Sequence, residues 1–64
     1  MNEQFIDFSN GYAIVYVPAL FCNGWNVYNR LSHNTFIKIN HPNSWFKSEQ
    51  DAKNFANTLS PGNN

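Results

Sequence analysis

Residues 10 to 24 read NGYAIVYVPALFCNG, in which eleven consecutive residues, 12 to 22, carry no charge and no side-chain amide. An Asn-Gly pair stands at each end of this run, and Asn-Gly is the strongest short hairpin signal because a type I′ turn needs positive φ at both central residues. Asn10-Gly11 predicts a hairpin of residues 4–9 against residues 12–17. Asn23-Gly24 predicts a second, of residues 19–22 against residues 25–30. A looser turn at LSHN leads to residues 35–40, where Ile37 and Ile39 alternate with Phe36 and Lys38. The expected strands are therefore about 4–9, 12–22, 25–30 and 35–40.

Pro18 interrupts the long strand. Proline cannot donate to a ladder, so a bulge is expected there, and it shifts which side chains share a face. With that shift, one face carries Ile6, Phe8, Ala13, Val15, Val17, Leu20, Cys22, Trp25, Val27, Ile37 and Ile39. The other carries Phe5, Asp7, Tyr12, Ile14, Tyr16, Phe21, Asn26, Tyr28, Arg30, Phe36 and Lys38.

The best-marked element comes last. Ser48-Glu49-Gln50-Asp51 reads as an N-cap followed by acids in the first turn. Ala52, Phe55, Ala56 and Leu59 recur at helical spacing, and Ser60-Pro61-Gly62 ends the element. The helix is expected over about 49–59, with 60–64 a frayed tail. The expected fold is α+β, one domain over 1–64. An antiparallel four-stranded meander (three-stranded if the first hairpin does not form) carries one C-terminal helix on one face.

One helix covers one face, and the aliphatic face with Trp25 is its natural seat, with Trp45 or Phe46 closing the edge. Nothing else is expected to cover the second face. Tyr12, Tyr16, Tyr28, Arg30, Phe36 and Lys38 are thus the candidate partner-binding residues, since large exposed apolar patches mark interaction sites. Aromatic rings with one arginine and few other charges suit a protein partner, either a host protein or complex or a second copy in a twofold dimer. The plainer alternative is that the N-terminal segment or the HPNSWF loop folds across the face. A third reading has the rings stacking single-stranded bases. Against it stands a net charge of 0, with four basic residues in the chain, where phosphate binding needs several cations.

Other chemistry finds little footing. Cys22, His33 and His41 lack the short paired spacings of a structural zinc site, and no cofactor or metal is expected. Glu3, Asp7, Glu49 and Asp51 form no acid/base pair, and no phosphate-cradling or nucleophile motif occurs, so no enzymatic activity is expected. The single cysteine suits a reducing, cytoplasmic setting. The opening MNEQFIDF has no basic region of the kind a signal peptide needs, and the apolar run is shorter than the roughly 20 residues that span a bilayer. No membrane association is expected.

Gly24, Trp25, Val27, Phe46, Ser48, Ala52 and Ala56 trace a pattern of their own. A Gly-Trp-x-Val strand and a further strand precede an aromatic residue, a hydroxyl cap and an A-x-x-x-A helix. Over about residues 24 to 59 this resembles small bacterial sheet-plus-helix domains of the DUF2188 kind. It is similar also to the AP2-like arm-binding domains of phage integrases, which would imply DNA binding through a basic sheet. With twelve asparagines in 64 residues, the small neutral chain also resembles, in size and style, phage-encoded inhibitors of host machinery such as anti-CRISPR proteins. That likeness implies a mobile-element inhibitor or regulator of a host complex.

Overall fold

A computed structural model describes residues 4–18 and 23–62. Strands β1 (Gln4–Ser9), β2 (Tyr12–Val17), β3 (Gly24–Ser32) and β4 (Thr35–Lys38) form one antiparallel sheet in the order β1-β2-β3-β4, and helix α1 (Glu49–Asn57) follows. The α+β meander with a C-terminal helix is the architecture expected. At the first turn Asn10 has φ 54° and Gly11 has φ 83°, the paired left-handed residues of a two-residue hairpin, and Ser9 pairs with Tyr12.

The second Asn-Gly pair does something else. Gly24 opens β3 opposite Val17, and Trp25 pairs with Tyr16, so Asn23-Gly24 is not the turn of a hairpin. The expected strand residues 19–22 lie outside the described residues. β2 stops at Val17, immediately before the proline that cannot donate, and pairs with β3 from Ala13↔Tyr28 to Val17↔Gly24 without any shift. Register shifts occur instead between Phe5 and Asp7 and between Arg30 and Ser32. Because side chains alternate with a period of two, losing the shift at Pro18 inverts β2 relative to β3. Tyr12, Ile14 and Tyr16 lie on the face of Trp25 and Val27, and Ala13, Val15 and Val17 lie on the opposite one. That is the main correction to the expected faces.

The inversion makes sense in packing terms. The helix side receives the bulkier set, and Ile14, Val27, Ala52 and Ala56 are fully buried there, with Tyr12 at 8% exposure. Trp25, Ile39, Phe46, Phe55 and Leu59 pack around this cluster. Alanine at 52 and 56 lets α1 approach the sheet closely over β1, β2 and β3. Phe46 closes the edge, exchanging two backbone hydrogen bonds with Trp25 (2.9 and 2.8 Å) and setting its ring 5.2 Å from that of Phe55.

Ser48 caps the helix as its sequence position implies. Its backbone is extended, and its Oγ accepts from the Asp51 N–H at 3.1 Å. Ser48→Ala should cost about 1 kcal/mol in urea denaturation, and Ser48→Asp should restore most of it. A loss below about 0.3 kcal/mol would contradict the capping role.

The helix C-terminus is held from the far end of the chain. Asn10 donates its side-chain amide to the Ala56 and Leu59 carbonyls (3.0 and 2.9 Å), the first of which also accepts from the Leu59 N–H at 3.2 Å, so the last turn gains a side-chain donor. Ser9 Oγ donates to Asn57 Oδ1, the Tyr12 hydroxyl donates to the Ser60 carbonyl, and the Gly62 N–H donates to the Asn10 carbonyl. The segment expected to fray from residue 60 is thus tied down as far as Gly62. Asn63 and Asn64 lie outside the described residues.

Candidate functional site

The sheet face turned away from α1 is built in rows. One row crosses all four strands as Phe8, Ala13, Tyr28 and Lys38, and the neighbouring row holds Arg30 beside Phe36. On the other side come Val15 beside Asn26, then Val17 beside Gly24. Of the expected site residues, Tyr28, Arg30, Phe36 and Lys38 are brought together here. Tyr12 and Tyr16 are not. Tyr12 belongs to the core, and Tyr16 packs on the helix side with its ring 5.2 Å from that of Trp25.

The loop after β4 covers part of this face, as the plainer alternative had it. His41 to Ser44 form a tight turn in which the Ser44 N–H donates to the His41 carbonyl at 3.0 Å, with Pro42 at the position that favours it. Lys38 Nζ donates to the Pro42 and Ser44 carbonyls (3.0 and 2.8 Å), which holds the turn over the β4 side of the face. Beneath it lies a buried pair of asparagines. Asn40 Nδ2 donates to Asn26 Oδ1 and to the Ser44 carbonyl, and Asn40 Oδ1 accepts from the Val27 N–H. The Asn40 side chain thereby replaces a strand carbonyl between Ile39, whose N–H bonds Val27, and Phe46, which bonds Trp25.

Trp45 was expected only as an edge residue. Next to Phe46, which points to the helix side, it turns to the other face and lies against Gly24. A Cβ on Gly24 would come within 2.4 Å of the indole, so only glycine leaves room. The ring remains 48% exposed, and on the same face Phe36 is 45% and Phe8 38% exposed. Phe8 and Trp45 are therefore surface members of the aromatic group that sequence reasoning assigned elsewhere. The alternation of Trp45 with Phe46 was the available signal for one; Phe8 was already grouped with Ala13, and the unshifted phase of β2 against β3 is what places both in the row of Tyr28.

The cations of this face are engaged internally. Arg30 Nε donates to the Ser32 carbonyl at 3.2 Å, and Nη2 lies 3.2 Å from His33 Nδ1. Lys38 is taken by the loop, as above. What the face presents is ring surface. His41 Nδ1 accepts from the Asn43 N–H at 3.1 Å, a loop-shaping bond. Among the described residues no group of three or more His, Cys, Asp or Glu side chains is placed to hold a metal ion, and Cys22 lies outside them. No described helix is long and apolar enough to cross a membrane. Searches of protein-family models, curated proteins and solved structures found no match for this chain.

Proposed function

We propose that this chain is a non-enzymatic protein-binding domain that engages its partner through the sheet face opposite α1, acting as an inhibitor or regulator of a host complex. The observation that carries this reading is the set Phe8, Phe36 and Trp45, three large rings 38–48% exposed on one face. Aromatic side chains of this kind are what protein interfaces concentrate at their energetic centres. The inhibitory role draws its support from the likeness in size and composition to phage-encoded inhibitors. Nucleic-acid binding is disfavoured because Arg30 and Lys38, the cations beside the rings, already donate to backbone carbonyls.

The test is co-purification of the tagged chain from host lysate, followed by mass spectrometry and titration with the purified partner. Trp45→Ala should weaken that complex by about 2 kcal/mol, roughly 30-fold, while costing at most about 1 kcal/mol of stability. Affinity should change little between about 50 and 200 mM salt. Recovery of nucleic acid alone, with binding that falls by orders of magnitude over that range, would replace this reading with the nucleic-acid one.

A further inference from the structure

The edge of β4 lies beyond the reach of the helix and borders the aromatic face through Phe36. Among the described residues the sheet ends at β4, and α1 covers β1 to β3 only. Ile37 pairs with Asn29 on the helix side of the sheet, yet it is 48% exposed because the helix does not reach it. Phe36, pointing to the opposite face, is 45% exposed. Edge strands are usually blunted by a charged side chain, a proline or a covering segment. β4 reads TFIK, and the ammonium of its one charged residue is turned onto the Pro42 and Ser44 carbonyls.

The hydrogen-bond phase determines what such an edge accepts. The Ile39 N–H donates to the Val27 carbonyl at 2.7 Å, so Ile39 and, two residues earlier, Ile37 direct their backbone groups at β3. Phe36 and Lys38 therefore direct their N–H and C=O groups outward. Two such edges are complementary to each other about a twofold axis through Ile37. Phe36 of each copy pairs with Lys38 of the other, giving four backbone hydrogen bonds, and the two Ile37 side chains face each other at the close, non-hydrogen-bonded position. The chain has a net charge of 0, so no long-range repulsion opposes the approach.

We propose that a second copy of this chain pairs antiparallel along β4, joining two four-stranded sheets into one of eight strands. Phe36 is shared with the aromatic face, but the twofold axis passes through Ile37, which lies on the helix side of the sheet and is remote from Trp45, so variants at Ile37 and at Trp45 report on the two contacts separately. One short edge buries less than the roughly 1,200 Å² of a standard interface, so the dimer forms as concentration rises.

Sedimentation velocity of the full chain from about 10 µM to about 1 mM should show conversion from monomer to dimer. Over the same range the Phe36 and Lys38 amides should gain protection from hydrogen exchange, whereas the Ile37 amide is protected throughout. Ile37→Lys and Ile37→Glu should each stay folded by circular dichroism and stay monomeric, because like charges meet at the axis. Their equimolar mixture should dimerise again. Trp45→Ala should dimerise like the parent, which separates this edge from the face that binds a partner. A parent that remains monomeric at about 1 mM overturns the proposal. So does dimerisation of either charged variant alone, or failure of their mixture to associate.

Discussion

Ile14→Ala should unfold most of the population at 25 °C, whereas Val15→Ala, one residue further along β2, should leave the domain folded. Ile14 is fully buried against Val27 and the two helix alanines, and its truncation removes three carbons from a site with no room to collapse. Substitutions of this type cost about 2–5 kcal/mol. A core in a chain this short rarely supplies more than about 3–5 kcal/mol. Val15 lies on the opposite face beside Asn26 and is only half-buried, so its loss should be about 1 kcal/mol. Urea denaturation of the two variants reads the phase of β2 directly. Equal losses, or a larger one at Val15, would mean that the strand presents its other side to the helix.

That phase is where sequence reasoning and structure part. The helix was legible because its signals are local: Ser48 caps, acids follow, and Ala52, Phe55, Ala56 and Leu59 repeat at its period. The first hairpin was legible for the same reason, since Asn10-Gly11 dictates its own backbone. The second Asn-Gly pair carries the same two letters without the turn. Gly24 is needed there because Trp45, more than twenty residues later, lies where a side chain would be. A local code cannot distinguish a glycine required by its own φ from one required by a distant indole. The bulge expected at Pro18, placed there because proline cannot donate to a ladder, is what turned Tyr12 and Tyr16 outward; without it the period of two puts them on the face of Trp25, as the pairing of β2 with β3 has them.

The candidate site inherits that error in part. Tyr28, Arg30, Phe36 and Lys38 were grouped correctly because β3 and β4 are read from simple alternation. Alternation says nothing about which side-chain atoms are already engaged. Lys38 and Arg30 looked like a basic rim, but Lys38 donates to carbonyls of the 41–44 turn and Arg30 to the Ser32 carbonyl at the end of its own strand. Asn10 likewise serves twice, as a turn residue and as a clamp on the helix end, and only the second role depends on tertiary structure. The asparagine richness of the chain thus has a physical side. Asn10, Asn26 and Asn40 each satisfy polar groups that a short chain cannot place in regular ladders.

Asn40→Ala should be among the most damaging single changes outside the apolar core. Asn40 and Asn26 are each 7% exposed, and Val27 is fully buried. Removing the Asn40 amide leaves the Val27 N–H without its acceptor and Asn26 Oδ1 without its donor. The Ser44 carbonyl keeps Lys38. Two buried groups left unsatisfied cost about 1–3 kcal/mol each. For a domain of this size that lowers Tm by at least about 10 °C. Asn40→Asp separates the two halves of the network. Its carboxylate still accepts from Val27 but sets negative charge against Asn26 Oδ1 and the Ser44 carbonyl, so folding raises its pKa above the ordinary value of about 3.9. Below that value the introduced group is protonated in both states and can donate, and the variant should lie near its best. As pH rises through the raised folded-state pKa, that stability is lost, because the folded state then binds more protons than the unfolded one. Melting curves between about pH 3 and pH 7 should show the Asn40→Asp deficit relative to the parent widening with pH, and that of Asn40→Ala holding constant. A deficit for Asn40→Asp that stays flat or narrows toward neutral pH would show that Asn40 Nδ2 is not the donor joining Asn26 to the 41–44 turn.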